Sequence, residues 1–171
     1  MTIESEYLSE EGPGGLFTRL SRVALLLEEF QHRAIDRFGL RFVDYSVLRV
    51  LQIQGPPHHL SPSRLSEVLV RSTGGMTQIL DRLESAGLVT RLPYPTDRRK
   101  VIVGLTAEGL ALVKKISRAW EQQKQELLGV DISAEELARL DSAVRTLLGM
   151  FTEDHDRGGR RKRVKAAASE G

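Results

Sequence analysis

Between Arg91 and Lys100 four basic side chains, Arg91, Arg98, Arg99 and Lys100, surround one acid, Asp97. Cations crowded in this way are anion-binding chemistry. Upstream, Ser72-Thr73-Gly74-Gly75-Met76-Thr77-Gln78 offers hydroxyls, a carboxamide and two glycines. Such groups hydrogen-bond polar edges and allow close backbone approach. Neither segment places a nucleophile in a recognisable motif, and the chain has no phosphate-cradling glycine loop or metal-carboxylate cluster, so the chemistry implied is binding and no enzyme activity is expected. His32, His58, His59 and His155 include no pair at i, i+4, and there is no cysteine. That excludes disulfides, thiolate zinc and cysteine redox sensing, and neither a metal site nor a cofactor is expected.

These segments need a scaffold, and the flanking pattern supplies one. Ser72 is suited to cap a helix running to about Ala86, with Gly87 as its stop. Met76, Ile79, Leu80 and Leu83 form its inward stripe, leaving Thr73, Gly74, Thr77, Gln78 and Asp81 outward. Ser61-Pro62 opens a shorter preceding helix through Leu69. After Gly87 come two β-prone runs, Leu88–Leu92 and Lys100–Leu105, separated by Pro93 to Arg99, which predicts a hairpin with an extended tip. Helix, turn, helix and hairpin in this order make a winged helix-turn-helix, mainly α with a small β-hairpin wing.

Helical periodicity recurs on both sides. Leu16, Leu20, Val23, Leu27, Phe30, Ala34 and Phe38 step by three or four up to Gly39, and a second helix fits Asp44–Gln54, before a loop over Gly55–Leu60. Thr106 opens a long helix, and Ser133 with Glu136 reads as a capping box before Leu137, Leu140, Val144, Leu147 and Phe151.

The chain of 171 residues, 40% apolar and 28% charged, reads as one soluble domain over 16–153, with a flexible 1–15 and a disordered basic tail over 154–171. Its apolar runs, such as Val23–Leu27, are far shorter than the roughly 18–20 residues of a membrane span. The acidic Met1–Glu11 lacks a signal-peptide pattern, so no membrane association and a cytoplasmic location are expected. The net charge of +2 conceals an uneven distribution, with six basic residues and no acid between Arg157 and Lys165. That tail either adds phosphate affinity or merely solubilises the end.

The motifs Leu65-Ser66-Glu67, Ser72 to Thr77, Asp81-Arg82-Leu83-Glu84, Ala86-Gly87-Leu88-Val89, Asp97-Arg98-Arg99 and Leu105-Thr106-Ala107-Glu108-Gly109 occur in one order and spacing. In this the chain resembles the MarR family of bacterial transcriptional regulators, over about Leu16–Phe151. The resemblance implies a homodimer held by terminal helices at 16–38 and 106–151, with a winged DNA-binding part at 44–109. Its partner would be double-stranded DNA carrying a pseudopalindromic operator, and its function sequence-specific transcriptional regulation, as a repressor released by a small-molecule effector.

On that reading the DNA-contacting set is Ser72, Thr73, Gly74, Gly75, Thr77, Gln78, Arg82, Asp97, Arg98, Arg99 and Lys100. Asp97 matches the family's acid that steadies an arginine, here through a bidentate pair, or else forms a salt bridge that merely stiffens the hairpin, and Arg99 matches the arginine that enters the minor groove. Several alternatives stay open: Gly74 and Gly75 serve close approach to DNA or helix packing, and Arg82 binds phosphate or pairs on the surface. The family's effectors are small aromatic or phenolic molecules held in a crevice, for which His32, Asp36 and Tyr45 are candidates, or else ordinary core and surface residues. Val70 and Arg71 depart from the family pattern at the helix-helix turn. The competing reading is a winged-helix protein-interaction module with weak or no DNA binding.

Overall fold

The computed structural model describes residues 8–9, 11–94, 97–129 and 132–169; the side chains of Arg98, Arg99 and residues 159–169 lie outside the described set. The elements are α1 (Gly12–Ile35), a 3-10 turn (Asp36–Phe38), α2 (Phe42–Ile53), β1 (His59–Leu60), α3 (Pro62–Val68), α4 (Thr73–Ser85), β2 (Val89–Tyr94), β3 (Asp97–Leu105), α5 (Ala107–Leu128) and α6 (Ala134–Ser169). The chain divides into two compact units, Met1–Lys124 and Gln125–Gly171.

In the first unit the expected stripe of α4, Met76, Ile79, Leu80 and Leu83, is buried to 5% exposure or less. It packs in one core with Leu48 and Leu51 of α2, Leu65 of α3, Val89 and Val103 of the sheet, and Val113 and Ile116 of α5. Each such side chain contributes about 1.5–3 kcal/mol relative to exposure. The caps fall where the sequence places them: Ser61 Oγ accepts from the Arg64 N–H and Ser72 Oγ from the Gly75 N–H, both at 3.2 Å.

The same helix-ending device appears after α3 and α4, with different residues. After α4, Gly87 at φ +70° donates to Glu84 O at 2.9 Å, and Leu88 donates to Leu83 O at 2.9 Å. After α3, Val70 at φ +50° donates to Glu67 O at 3.2 Å, and Arg71 donates to Ser66 O at 2.9 Å. Both are Schellman caps, whose left-handed position favours glycine. A β-branched side chain there costs about 1–2 kcal/mol. Val70→Gly should therefore raise stability by roughly 0.5–1 kcal/mol, net of glycine's greater freedom in the unfolded chain, seen as a higher urea midpoint. A lower midpoint would mean that the valine is not strained.

Thr106 binds the start of α5 to the end of α4. Its Oγ donates to Gly87 O at 2.7 Å and accepts from the Gly109 N–H at 2.9 Å, while its own N–H donates to Leu88 O at 3.2 Å. Closeness here explains the glycine of Leu105-Thr106-Ala107-Glu108-Gly109. A Cβ at Gly109 would overlap the Leu88 carbonyl oxygen and lie 2.9 Å from its carbon. Backbone cannot rotate away as a side chain can, so Gly109→Ala should cost about 2–3 kcal/mol by thermal or chemical denaturation. An unchanged midpoint would contradict this packing.

The sheet has the order β1-β3-β2 and is antiparallel throughout. Two details differ from the sequence reading. Within the expected loop Gly55–Leu60, His59 pairs with Gly104 and Leu60 with Val103, a two-residue strand too short to show alternation. His59's ring lies where a Cβ on Gly104 would be. The hairpin ladder is also longer than expected, reaching Tyr94↔Asp97 with a register shift at Pro93/Tyr94. Pro93 is tolerated because β2 is an edge strand and the shift falls beside it.

Both ends of the chain are more helical than their composition suggests. Gly12–Gly15 belong to α1, with a proline in its first turn, rather than to a flexible N-terminus; residues 1–7 and 10 lie outside the described set. At the other end the backbone is helical from Ala134 through Asp154 to Ser169. Arg, Lys and Ala are good helix formers, and Arg157 pairs with Glu153 at 3.0 Å at i, i+4 spacing.

Candidate nucleic-acid interface

Helix α4 presents Thr73, Gly74, Thr77, Gln78 and Asp81 to solvent, opposite its buried stripe. Among the described residues, nothing beyond the helix's own backbone and the adjacent residues comes within 4 Å of a Cβ built on Gly74, so no packing contact seen there requires that glycine. A Cβ on Gly75 would meet Ser72 Oγ at 3.2 Å, the cap itself. The first turn of α4 is thus open at Gly74, with the Gly75 and Met76 amides bonded to Ser72. Thr77 Oγ1 donates back to Thr73 O at 3.0 Å, which keeps its methyl group and remaining lone pairs on the outer face. Thymine methyls and base-edge amino groups are the partners that such a threonine fits.

At the hairpin, Asp97 is 38% and Lys100 71% exposed in their side chains, with Lys100 Nζ 3.6 Å from Asp97 Oδ2. The arginine steadied by Asp97 in the family's pattern falls at Arg99, outside the described side chains, as does Arg98. Arg91, counted with the hairpin's positive charge in the sequence, is tied instead to two acids of α4, Asp81 and Glu84. Hydrogen bonding to Asp81, then to Glu84, pushes its guanidinium above its already high ordinary value.

Arg82, for which the sequence leaves phosphate binding and surface pairing both open, is held in an ion pair. Its Nη2 donates to Asp44 Oδ1 at 2.6 Å, and Nη1 donates to Gln78 O at 3.2 Å. Asp44 is 4% exposed, and its other oxygen accepts from the Arg41 N–H at 3.2 Å. A guanidinium paired with a buried carboxylate is committed to tying α2 to α4. Asp44 was not singled out in the sequence, because it lies 38 positions from its partner.

The three effector-site candidates separate into two clefts. His32 and Asp36 line a cleft of about 730 Å³ with Arg41, Val68, Val70 and Arg71. Tyr45 lines another, of about 280 Å³, with Phe42, Trp120, Arg49 and Lys124, and its hydroxyl lies 3.3 Å from Ser117 Oγ. Phe42 and Ser46 border both. Among the described residues no group of three or more acids or histidines could hold a metal ion, and no helix is long and apolar enough to cross a membrane.

Comparison with known proteins gives this geometry a lineage. A MarR family model matches residues 38–100, from the 3-10 turn through most of the hairpin. The chain is 34% identical over 130 residues to the HTH-type transcriptional regulator PecS of Dickeya dadantii, covering 76% of this chain and 75% of that protein. The chain belongs to the MarR family. Among solved MarR family structures, a mutant MarR from Escherichia coli complexed with operator DNA matches at TM-score 0.68 and 26% identity, over 81% of this chain and 99% of that one. BpsR of Bordetella bronchiseptica, whose DNA binding is regulated by 6-hydroxynicotinic acid, matches at TM-score 0.68 and 26% identity, over 80% and 93%.

Proposed function

We propose that this MarR family member is a homodimeric, sequence-specific DNA-binding transcriptional regulator, a repressor whose hold on its operator is released by a small aromatic or phenolic effector. The observation that carries the reading is the outward face of α4. It combines an unobstructed backbone at Gly74 with Ser72, Thr73, Gly75, Thr77 and Gln78, beside a hairpin bearing Asp97, Arg98, Arg99 and Lys100. Helix residues of this type read base edges in a major groove, and a cationic hairpin reaches phosphates and the adjacent minor groove. Arg82 is left out of the contact set and is read as a structural residue. No catalytic role is assigned, and the protein acts in the cytoplasm, where its DNA is.

Dimerisation accounts for the terminal helices. On α1, Leu16, Phe17, Val23, Leu26 and Leu27 are 42–58% exposed; on α6, Leu140, Val144, Leu148, Met150 and Phe151 are 51–64% exposed. Apolar rows of this extent mark an interface. A symmetric dimer presents two α4 helices, which fits half-sites one helical turn apart.

Effector control follows from the cleft beside His32 and Asp36. Val68, Val70 and Arg71 line it, and Arg71 immediately precedes Ser72, the cap of α4. An occupant would therefore touch the turn that aims the reading helix. It releases DNA to the extent that it prefers the dimer geometry in which the two helices miss the groove spacing.

Selection from a pool of random duplexes tests the reading. An enriched inverted repeat with half-sites about 10 base pairs apart is the expected result. No enrichment would favour a protein-interaction role for the winged helix.

A further inference from the structure

Arg91 stands in β2, the first strand of the hairpin, yet three bonds attach it to α4. Its Nη2 donates to Asp81 Oδ1 at 2.7 Å, its Nη1 donates to Glu84 Oε2, and its backbone N–H donates to Glu84 Oε1 at 3.0 Å. Asp81 and Glu84 lie one helical turn apart, so a single guanidinium spans both. Because Glu84 grips backbone and side chain of the same residue, it fixes the position of the strand as well as its charge. Arg91 is 30% exposed in its side chain, against 58% for Asp81 and 38% for Glu84.

The hairpin needs such an attachment. Val89, Ile102 and Val103 anchor its base in the core, whereas Tyr94 and Val101 farther out are 42% and 41% exposed. Beyond its anchored base, a two-stranded ribbon is free to bend and twist. One cation held by two acids leaves a net negative group beside the proposed DNA face, which in itself repels phosphate.

We propose that Arg91 is a positioning residue for DNA recognition, locking the hairpin to α4 so that both meet their grooves in one fixed relative geometry. The proposal rests on the DNA-binding reading above. It makes the geometry gained worth more than the repulsion incurred, and this fixes the sign of a charge experiment. Were Arg91 a phosphate contact restrained by its acids, neutralising them would strengthen binding. For a positioning residue, neutralising them weakens specific binding even though negative charge has been removed.

The test measures affinity for the selected duplex and for a scrambled one across a salt series. The proteins are wild type, Arg91→Gln and Asp81→Asn/Glu84→Gln, each with and without Arg99→Ala, with urea unfolding used to correct for the folded fraction. Both clamp variants should bind the selected duplex about tenfold more weakly. Their salt slopes should fall by the same amount in both, because the loosened hairpin's cations no longer reach phosphate while Arg91 itself is not a contact. Arg99→Ala should cost much less in either clamp variant than in wild type, since a loose hairpin no longer delivers that arginine. Tighter binding by Asp81→Asn/Glu84→Gln, a slope reduced by about one in Arg91→Gln but unchanged in Asp81→Asn/Glu84→Gln, or full additivity with Arg99→Ala would overturn the clamp while leaving DNA recognition intact. Equal wild-type affinity for the two duplexes would overturn the DNA-binding reading itself, and the clamp with it.

Discussion

A Leu140→Glu/Val144→Glu variant is expected to sediment as a monomer and to bind the operator about a thousandfold more weakly than wild type. The two side chains are 54% and 59% exposed and lie at i, i+4 on α6, so the paired carboxylates fall on one apolar face. Four negative charges would then stand in each dimer interface without partners, at a cost of several kcal/mol. The magnitude follows from linkage of half-sites. If a dimer binds at about 1 nM and tethering makes the second half-site intramolecular at an effective concentration of about 1 mM, one unlinked winged unit binds at about 1 µM. Since both positions are exposed in the single chain, helicity should be retained by circular dichroism. A variant that stays dimeric and keeps its affinity would remove α6 from the interface.

Arg82→Ala is expected to lower unfolding stability by about 4 kcal/mol, and Asp44→Ala by about 3 kcal/mol. Losing the arginine leaves Asp44, 4% exposed, with the Arg41 N–H as its one remaining partner among the described residues. Losing the aspartate is milder, because the Arg82 side chain, 37% exposed, can recover some hydration. Its Nε is already buried without a hydrogen-bond partner among the described residues, a polar atom that contributes nothing to offset the change. Replacing both, as Asp44→Leu with Arg82→Met, should cost less than either single change, because no uncompensated charge remains. Denaturant midpoints of the four proteins decide it. A stable Arg82→Ala whose DNA salt slope falls by about one would restore the phosphate contact read from the sequence.

The sequence shows clearly what repeats along the chain and conceals what spans it. Met76, Ile79, Leu80 and Leu83 keep a helical period, and Ser61, Ser72, Thr106 and Ser133 each stand one residue before a helix, so local rules suffice for these elements. Ser133 illustrates this: its N–H donates to Glu136 Oε2 at 2.9 Å and its Oγ accepts from the Glu136 N–H at 3.2 Å, completing the box. Asp44 with Arg82, and Arg91 with Asp81 and Glu84, are charged residues whose pairing depends on where separate elements dock. Local charge made Arg91, and the family motif made Arg82, look available to an anion. Val70 stood out as a departure from a motif, but its left-handed backbone became evident only with the hydrogen bonds that close the turn. The period of α1 is equally silent on its partner: Leu16, Val23 and Leu27 face outward in the single chain, which only the resemblance, by placing 16–38 among the dimerisation helices, led one to expect. A stripe of that kind shows that a helix packs, without showing whether its partner is its own chain or a second copy.

The most direct test of the account is the affinity of the full-length protein for its selected operator and for a scrambled duplex, measured over a range of salt. The account predicts that log affinity falls linearly with log salt for both, with the operator held at least about a thousandfold tighter at physiological salt. Equal, weak binding to the two duplexes at every salt concentration would contradict it.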